Sequence, residues 1–428
     1  MNNAGKQQGL SLNMLLLSLI GFFATWGEGM QHVISKASFI YPALIAIYML
    51  LNYNCFIKSV KYRNIVPKEF KILYIYVIIH TIIYVIINYQ NIGFGSESGE
   101  INDEGFAFGK TENGITIIRY FVFLLFSLYL SVEIRKVISI NIFCISYVVG
   151  FIITILGGAF HEYGNGMIRI SGGLQDPNVM AFDALIAFIF SLFILKKYHS
   201  KGIRILLFVS VIIELLAVFL SFSRGALLAL FAWGVIYMIH KGIFHNIMRV
   251  VIALILFLYI GYIAIDTFNI NKDEYDTRFS IEEIIATKGA NRGLIWKVYL
   301  SNMDKYCVTG TGIGNSTKVM KGNRFGLAEN YESHNLYIQF FAEFGIIGLL
   351  LYMIYWQRYI RELRRTPNEL YLLMSLGFIL LIVTLFLNLD KGRTFWIVLA
   401  IINMIWIKNK EIYSSKENEK NLGVRFVK

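Results

Sequence analysis

The sequence predicts an all-α fold, a polytopic transmembrane helical bundle of about 12 spans with one large external loop. Apolar runs of about 20 residues recur along the chain, and this is the length that a helix needs to cross a bilayer. Only 16% of the 428 residues are charged, against about 25% in an ordinary soluble domain. Strands of a membrane β-barrel alternate in polarity and are about 10 residues long, so these continuous runs exclude that fold.

The predicted spans follow one another through short connections in the first half of the chain. The first eight lie near residues 10–27, 37–57, 72–90, 114–132, 137–156, 177–196, 203–220 and 225–240. The ninth, near 250–267, precedes a polar segment, and the last three lie near 335–356, 370–388 and 394–407. We therefore expect residues 1–428 to form one integral membrane domain, with a large extracytoplasmic loop at 268–334 between spans nine and ten.

The net charge of +12 lies largely in short basic clusters between the apolar runs. Such clusters stay on the cytoplasmic side of a membrane, so we expect both termini in the cytoplasm. The segments 91–113, 157–177, 221–225, 267–334 and 389–393 are then external. This distribution argues against nucleic acid as a partner. An uncleaved first span is expected rather than a removed signal peptide.

A single arginine, Arg224, stands between two apolar runs in Ser221-Phe222-Ser223-Arg224-Gly225-Ala226. A charge near bilayer depth costs about 2.5–3.5 kcal/mol on insertion scales. One interpretation is an anion-binding arginine at the start of a helix that Ser221 or Ser223 caps. The other is an interfacial arginine that reaches the lipid headgroups.

Two further arginines lie in predicted external segments. Arg169 precedes Asp176-Pro177-Asn178, in which Asp176 would cap the sixth helix and Pro177 suits its first turn. Arg292 opens a helical pattern, where free backbone N–H groups favour an anion. For both arginines the structural alternative stays open: a polar turn for Arg169 and a solvated surface position for Arg292.

His334 closes the polar segment and Asn335 follows it at the start of the tenth span. Histidine is the usual proton carrier near neutral pH, and a helix-capping or interfacial histidine is the alternative. Glu343 lies deeper in the same predicted span, where a buried carboxylate needs a partner such as an external arginine. His80 and Glu214 also lie in apolar runs, and we assign both to helix–helix hydrogen bonds.

Metal and nucleotide motifs are weak in this chain. Asp273-Glu274-Tyr275-Asp276 lacks EF-hand spacing, and no cluster of His, Cys and carboxylate has zinc spacing. Gly310-Thr311-Gly312-Ile313-Gly314 lacks the lysine and the strand context of a nucleotide loop. We interpret it as a tight turn that exposes backbone N–H groups near a ligand. No metal and no cofactor are expected.

Taken together, in their order and spacing, several of these pieces resemble the O-antigen ligase and O-antigen or capsular polysaccharide polymerase superfamily of bacterial membranes. The resemblance covers roughly residues 150–360. The matching stretches are Arg169-x-x-Gly172 to Asp176-Pro177-Asn178, Ser221 to Ala226, Arg292-x-x-x-Trp296, Gly310-x-Gly312-x-Gly314, and Ser333-His334-Asn335 through Glu343-x-Gly345-x-x-Gly348-Leu349.

The resemblance implies a GT-C-like glycosyltransferase in the bacterial cytoplasmic (inner) membrane, with an extracytoplasmic active site. It implies a metal-independent, inverting transfer of glycan from undecaprenyl diphosphate to a hydroxyl. Arg224 and Arg292 would bind the diphosphate and stabilise the leaving group. His334 would deprotonate or orient the acceptor hydroxyl, or help to bind the diphosphate. The other implied substrate-binding residues are Arg169, Asn178, Ser223, Asn335 and Glu343.

The leading functional prediction is a polymerase that joins lipid-linked oligosaccharide repeats into O-antigen, capsule or exopolysaccharide. The alternative is a ligase that moves a finished glycan onto lipid A core or another acceptor, and the motifs do not separate the two. A lipid-linked oligosaccharide flippase should show central cations and repeat symmetry, and the chain has no clear internal repeat. The implied partners are the lipid-linked donor, a glycan or lipid-linked acceptor, the bilayer, a chain-length regulator and a flippase.

Overall fold

The computed structural model describes residues 12–26, 37–62, 67–88, 113–157, 160–163, 167–172, 176–242 and 292–421, with the single positions 259 and 263. The chain divides into two compact units. The first unit contains Met1–Ile65 and Tyr129–Asn269, and the second contains Val66–Leu128 and Ile270–Lys428.

Helices dominate the described residues, and a short antiparallel hairpin interrupts them. The strands are β1 (Phe160–Tyr163) and β2 (Met167–Ile170). The helices are α1 (Leu12–Phe23), α2 (Ala37–Tyr62), α3 (Lys68–Asn88), α4 (Asn113–Glu133), α5 (Val137–Gly157), α6 (Pro177–Leu195), α7 (Lys201–Leu220), α8 (Arg224–Lys241), α9 (Arg292–Ser301), α10 (Leu336–Arg365), α11 (Tyr371–Met374), α12 (Leu376–Val383) and α13 (Arg393–Asn421).

These helices occupy the predicted spans, apart from the ninth near 250–267, most of which lies outside the described residues. Within the described part of the chain, six helices are long and apolar enough to cross a membrane. They are α3, residues 116–133 of α4, α5, α6, α7 and α10. The prediction of an all-α membrane bundle is therefore confirmed.

The outer surfaces of these helices are apolar. Ile82 and Ile86 of α3 and Ile205, Leu206 and Phe208 of α7 each expose more than half of their surface. Contiguous apolar surface of this kind is unfavourable in water. A hydrocarbon environment accommodates it, because helices satisfy their own backbone hydrogen bonds.

α6 forms the centre of the first unit. Most of its side chains are buried, and it packs against α5, α7 and α8. Ser191 Oγ of α6 donates to Glu214 Oε1 of α7 over 2.8 Å. The predicted helix–helix role of Glu214 is therefore confirmed.

The β1–β2 hairpin is a departure from the all-helical prediction. Its strands pair with His161 opposite Arg169 and Phe160 opposite Ile170. The sequence between the strands is Gly164-Asn165-Gly166, and glycine and asparagine are typical of hairpin connections. We assigned 157–177 only to an external segment and predicted no strands there. β2 packs against α7, close to the turn before α8.

In the second unit, residues 292–334 form a folded layer on α10. Ile295, Val298 and Tyr299 of α9 pack into a small apolar core with Tyr306, Val319, Met320 and Ala342. α3 packs against α10 as well. His80 Nε2 of α3 lies 2.6 Å from the carbonyl oxygen of Thr309. His80 thus bonds to the polar segment, not to a neighbouring helix as we predicted.

α10 is discontinuous. Gly345 has φ 67° and ψ −171°, and the helix continues on either side of it. A break of this kind deprives nearby carbonyl and N–H groups of their helical partners. The polar segment supplies replacements, because Thr311 N donates to Ala342 O (2.8 Å) and Ile346 N donates to Cys307 O (2.7 Å). The helix and the polar segment are therefore locked together at the break.

Candidate functional site

The first unit brings together Arg169, Asn178 and the turn that precedes α8. Arg169 Nε donates to the carbonyl oxygen of Ser221 (2.8 Å), and Arg169 Nη2 donates to Asn178 Oδ1 (3.3 Å). Arg169 is only 7% exposed. Hydrogen bonds from a buried guanidinium are charge-assisted and hold their acceptors firmly. Arg169 therefore joins the start of α6 to the end of α7.

Asp176 caps α6, as predicted. Its Oδ1 accepts from the backbone N of Asn178 (2.7 Å) and from Asn178 Nδ2 (3.1 Å). The side chain of Asn178 is consequently held between Asp176 and Arg169. Pro177 occupies the first helical position, where its missing N–H costs nothing.

The turn before α8 has a strained backbone. Phe222 has φ 50°, and Phe222 and His334 are the non-glycine residues with positive φ in the described ranges. Such conformations persist only where surrounding contacts enforce them, and they cluster at functional sites. Here Ser221 Oγ accepts from Ser223 N (3.1 Å), and Ser221 N bonds to Ala217 O (3.0 Å).

Arg224 is the first residue of α8 and is half-buried. Ser223 stands at the N-cap, but its side chain makes no capping hydrogen bond. The predicted capping role of the Ser223 hydroxyl is therefore wrong. The positive end of the α8 dipole lies where Arg224 begins the helix, and both favour an anion.

Arg169→Ala is expected to destabilise the protein by roughly 2–4 kcal/mol, because Ser221 O and Asn178 Oδ1 lose a buried charged donor. Arg169→Lys should restore little of this, since one ammonium cannot reproduce the guanidinium fork. The measurement is the melting temperature of the detergent-solubilised protein, with Arg204→Ala on the exposed start of α7 as control. Equal melting temperatures for the two alanine variants would contradict the proposed clamp.

In the second unit, His334 lies in a turn that is held on both sides. His334 has φ 47° and is half-buried, while Ser333 and Asn335 are buried. Ser333 Oγ donates to Asn335 O (2.8 Å), and Trp296 Nε1 donates to Ser333 O (2.8 Å). The imidazole is thus carried on a backbone whose conformation its neighbours determine.

Asn335, rather than His334, caps α10. Asn335 Oδ1 accepts from Tyr337 N (3.0 Å) and Ile338 N (3.1 Å), and Asn335 Nδ2 donates to Leu385 O (3.1 Å). Leu336 N donates to Thr384 O (2.8 Å). The interpretation of His334 as the helix cap is wrong, and Asn335 has a structural role that the resemblance did not indicate.

Arg292 belongs to the helix that contacts this turn. It is the first residue of α9 and is half-buried. Trp296 follows one turn later on the same helical face, and its indole donates to Ser333 O. The face of α9 that carries Arg292 is therefore the face that packs toward the residues before His334.

A charged cluster that sequence reasoning missed lies next to His334. Lys391 Nζ donates to Glu332 Oε1 (2.7 Å), and Asn388 Nδ2 donates to Glu332 Oε2 (3.1 Å). Burial raises the pKa of Glu332, but the charge of Lys391, the hydrogen bonds from Lys391 and Asn388 and the charge of His334 together leave that pKa lowered. Glu332 is therefore ionised at neutral pH.

Glu343 lies in the same cluster. Gln339 Nε2 donates to Glu343 Oε1 (3.1 Å) and also contacts both carboxylate oxygens of Asp390 (3.4 and 3.3 Å). Gln339, Glu343 and Asp390 are each no more than 1% exposed. We expected an arginine as the partner of Glu343. Glu343 is instead hydrogen-bonded to the amide of Gln339, which also contacts a second carboxylate, Asp390.

Lys391 is the cation that faces these carboxylates. Burial lowers the pKa of Lys391, but the charges of Glu332, Glu343 and Asp390 outweigh burial and raise it. Burial raises the pKa of Asp390 to about 6, although Lys391 opposes the shift. The sequence assigned 389–393 only to an external segment. The position of Asp390 directly before an apolar helix was the signal that could have suggested a buried carboxylate.

The glycine-rich motif is hydrogen-bonded to α10. Thr311 N and Gly312 N donate to the carbonyls of Ala342 and Glu343. Gly310, Gly312 and Gly314 all have positive φ, and a Cβ on Gly310 would collide with the Glu343 carbonyl. The tight turn is confirmed, but two of its N–H groups are occupied by the broken helix, so the predicted ligand role is wrong for them.

Comparison with known proteins supports the family resemblance. Residues 208–353 match a family model described as O-antigen ligase, and the matched region is about a third of the 428-residue chain. No curated protein matches the chain at a significant level. The matched region contains the predicted site residues Ser223, Arg224, Arg292, His334, Asn335 and Glu343.

Members of this family are glycosyltransferase-like enzymes, and the apolar helices identify an integral membrane protein. Arg169, Asn178 and the Asp390–Lys391 turn lie outside the matched region. Residues 208–353 are thus similar to the O-antigen ligase family, and this match supports the resemblance to the O-antigen ligase and polymerase superfamily that the motifs predicted.

Proposed function

We propose that the protein transfers a glycan from a polyprenyl diphosphate to a hydroxyl acceptor at the outer face of the bacterial cytoplasmic membrane. The observation that carries this proposal is the turn at His334. A half-buried imidazole is held there at positive φ, between two buried residues and beside the ionised Glu332. A fixed proton carrier of this kind suits the activation of an acceptor hydroxyl.

In the proposed reaction, the acceptor oxygen forms a bond to the anomeric carbon on the face opposite the carrier. The bond between that carbon and the diphosphate oxygen breaks, and its electron pair leaves on the diphosphate. The proton of the acceptor hydroxyl passes to His334. Attack from the opposite face inverts the configuration at the anomeric carbon.

The diphosphate requires positive charge as it leaves. Arg224, at the N-terminus of α8, is the proposed phosphate ligand of the first unit. Arg292, at the start of α9, is the proposed phosphate ligand of the second unit. Guanidinium groups pair well with phosphate oxygens and stabilise developing negative charge, so the proposal includes no metal ion and no cofactor.

The acceptor defines the biological role. A polymerase, our first proposal, extends a growing glycan with further lipid-linked repeats. A ligase moves a finished glycan to lipid A core or another acceptor, and the matched family model, described as O-antigen ligase, is at least as consistent with this second candidate. A chain-length regulator and a flippase are proposed partners of the polymerase.

Deletion of the gene distinguishes the two candidates. Loss of a polymerase should leave a single repeat on the final acceptor, whereas loss of a ligase should leave the acceptor bare and long glycan on the lipid carrier. Gel electrophoresis of the acceptor-linked glycan, together with extraction of the lipid-linked pool, measures both. Wild-type glycan in the deletion strain would overturn both candidates.

A further inference from the structure

Several charged groups lie near the turn that carries His334, and the reaction steps above give them no role. Three carboxylates, Glu332, Glu343 and Asp390, act on the single lysine Lys391. The ionisable residues around this set come from several elements of the second unit. They are His334 and Glu332 before α10, Tyr352 and Glu343 in α10, Asp390 and Lys391 before α13, Tyr120 in α4 and Tyr299 in α9.

The contacts of Glu332 fix its orientation. One carboxylate oxygen accepts from Lys391 Nζ at 2.7 Å and the other accepts from Asn388 Nδ2 at 3.1 Å. Asn388 Oδ1 also accepts from Ser333 Oγ at 3.3 Å. The turn at 388–391 therefore holds both residues that precede His334.

The residues after His334 are held by the same connection between α12 and α13. Leu336 N bonds to Thr384 O, and Asn335 Nδ2 bonds to Leu385 O. His334 thus lies between two anchored pairs of residues, Glu332 and Ser333 before it and Asn335 and Leu336 after it. Glu332 lies close enough for the charge of His334 to act on it.

We propose that Glu332 and Lys391 are positioning residues for His334, a role that rests on the proposed function. Lys391 orients the Glu332 carboxylate, and that carboxylate stabilises the imidazolium that forms when His334 takes the acceptor proton. The proton stays on the imidazole during the transfer and is then released to water. The charges of Glu343 and Asp390, which Gln339 bridges, also act on Lys391.

Lys391 and Glu332 keep 28% and 24% of their side-chain surface exposed. An ion pair that solvent reaches usually contributes only about 0–1 kcal/mol, so stability alone does not account for this pair. Perturbed ionisable groups that are grouped beside a proton carrier are instead typical of active sites.

Lys391 and Asp390 also lie beyond residue 353, so the matched family region does not include them.

The test uses the full-length protein and the lipid-linked glycan extracted from the deletion strain. The variants are Lys391→Met, Lys391→Arg, Glu332→Gln and the double variant Glu332→Gln/Lys391→Met, with Lys305→Met on an exposed lysine as control. The measurements are kcat and KM over a range of pH, together with the melting temperature of each variant.

We expect Lys391→Met and Glu332→Gln each to lower kcat at least tenfold with KM within about twofold of wild type, by analogy with groups that orient a catalytic base. Loss of the lysine charge stabilises the imidazolium form of His334 and so raises its pKa. The acidic limb of the pH profile should therefore move to higher pH. Loss of the carboxylate charge should move that limb to lower pH. Lys391→Arg should retain the wild-type limb.

Opposite shifts are a result that a merely structural pair would not give. The double variant should return the acidic limb toward wild type, since the two removed charges cancel. The inference would be overturned if the acidic limb of the pH profile were unchanged in Glu332→Gln and Lys391→Met. It would also be overturned if kcat fell only in proportion to the melting temperature of each variant. If Lys391→Met does not fold, the acidic limbs of the other two variants still test the inference. That limb should move to lower pH in Glu332→Gln and stay at the wild-type pH in Lys391→Arg.

The failure of the proposed function gives a different pattern. If His334→Ala keeps wild-type transfer, the role of His334 as proton carrier fails, and this inference fails with it. If His334→Ala is inactive while Lys391→Met and Glu332→Gln behave like Lys305→Met, only the positioning role fails.

Discussion

His334→Ala is expected to lower the rate of glycan transfer by about 10²–10⁴-fold, the range typical of the loss of a general acid or base. The acceptor hydroxyl then has no positioned group to take its proton. The KM for the lipid-linked donor should change little, because the donor carrier is bound by other groups in the proposal. The measurement is the initial rate of glycan transfer with extracted lipid-linked donor.

Two further variants separate the imidazole from the backbone that holds it. His334→Gly removes both the imidazole and the cost of φ 47°, so it should be inactive yet at least as stable as wild type. His199→Ala changes an exposed histidine between α6 and α7 and should leave transfer unchanged. Transfer by His334→Gly within twofold of wild type would sink the catalytic assignment.

Gly310→Ala is expected to reduce the stability of the fold by about 3–5 kcal/mol, which is in the exceptional range for one substitution. Gly310 has φ 68°, and an added Cβ would collide with the backbone carbonyl of Glu343. The segment cannot retreat without losing the bonds from Thr311 and Gly312 to the α10 carbonyls. The yield of monodisperse protein in detergent and its melting temperature measure the loss.

Gly322→Ala is a matched control for this prediction. Gly322 has φ 65°, nearly that of Gly310, but no atom lies within 4 Å of an added Cβ. Its substitution should therefore cost only the left-handed conformation of alanine, roughly 1–2 kcal/mol. Similar melting temperatures for Gly310→Ala and Gly322→Ala would show that the contact with α10 contributes nothing.

The break in α10 leaves backbone carbonyls that need hydrogen-bond donors from outside the helix. A carbonyl freed from a helix within the bilayer must find another donor, because lipid offers none. Ala342 and Glu343 find their donors in the polar segment at Thr311 and Gly312. Discontinuous helices in membrane proteins often mark binding sites, and here the break places Glu343 beside Asp390 and Lys391.

The sequence by itself determined the helices and one helix cap, and it indicated the resemblance to the superfamily. Bilayer thickness sets the length of an apolar run, so each span can be predicted without knowledge of its neighbours. Capping is equally local, and Asp176 caps α6 as its Asp-Pro-Asn context predicts. The order of the arginine and histidine motifs along the chain carried the resemblance, and residues 208–353 match a family model described as O-antigen ligase.

Only the tertiary structure decided the partners. Asp390-Lys391 has the composition of an ordinary polar turn, and nothing local distinguishes it from Lys110 or Glu112 in other connections. Its role follows from packing, which brings Lys391 to Glu332 across many intervening residues. Long-range pairing depends on which helices meet, and a hydrophobic pattern records the face of a helix but not its neighbour.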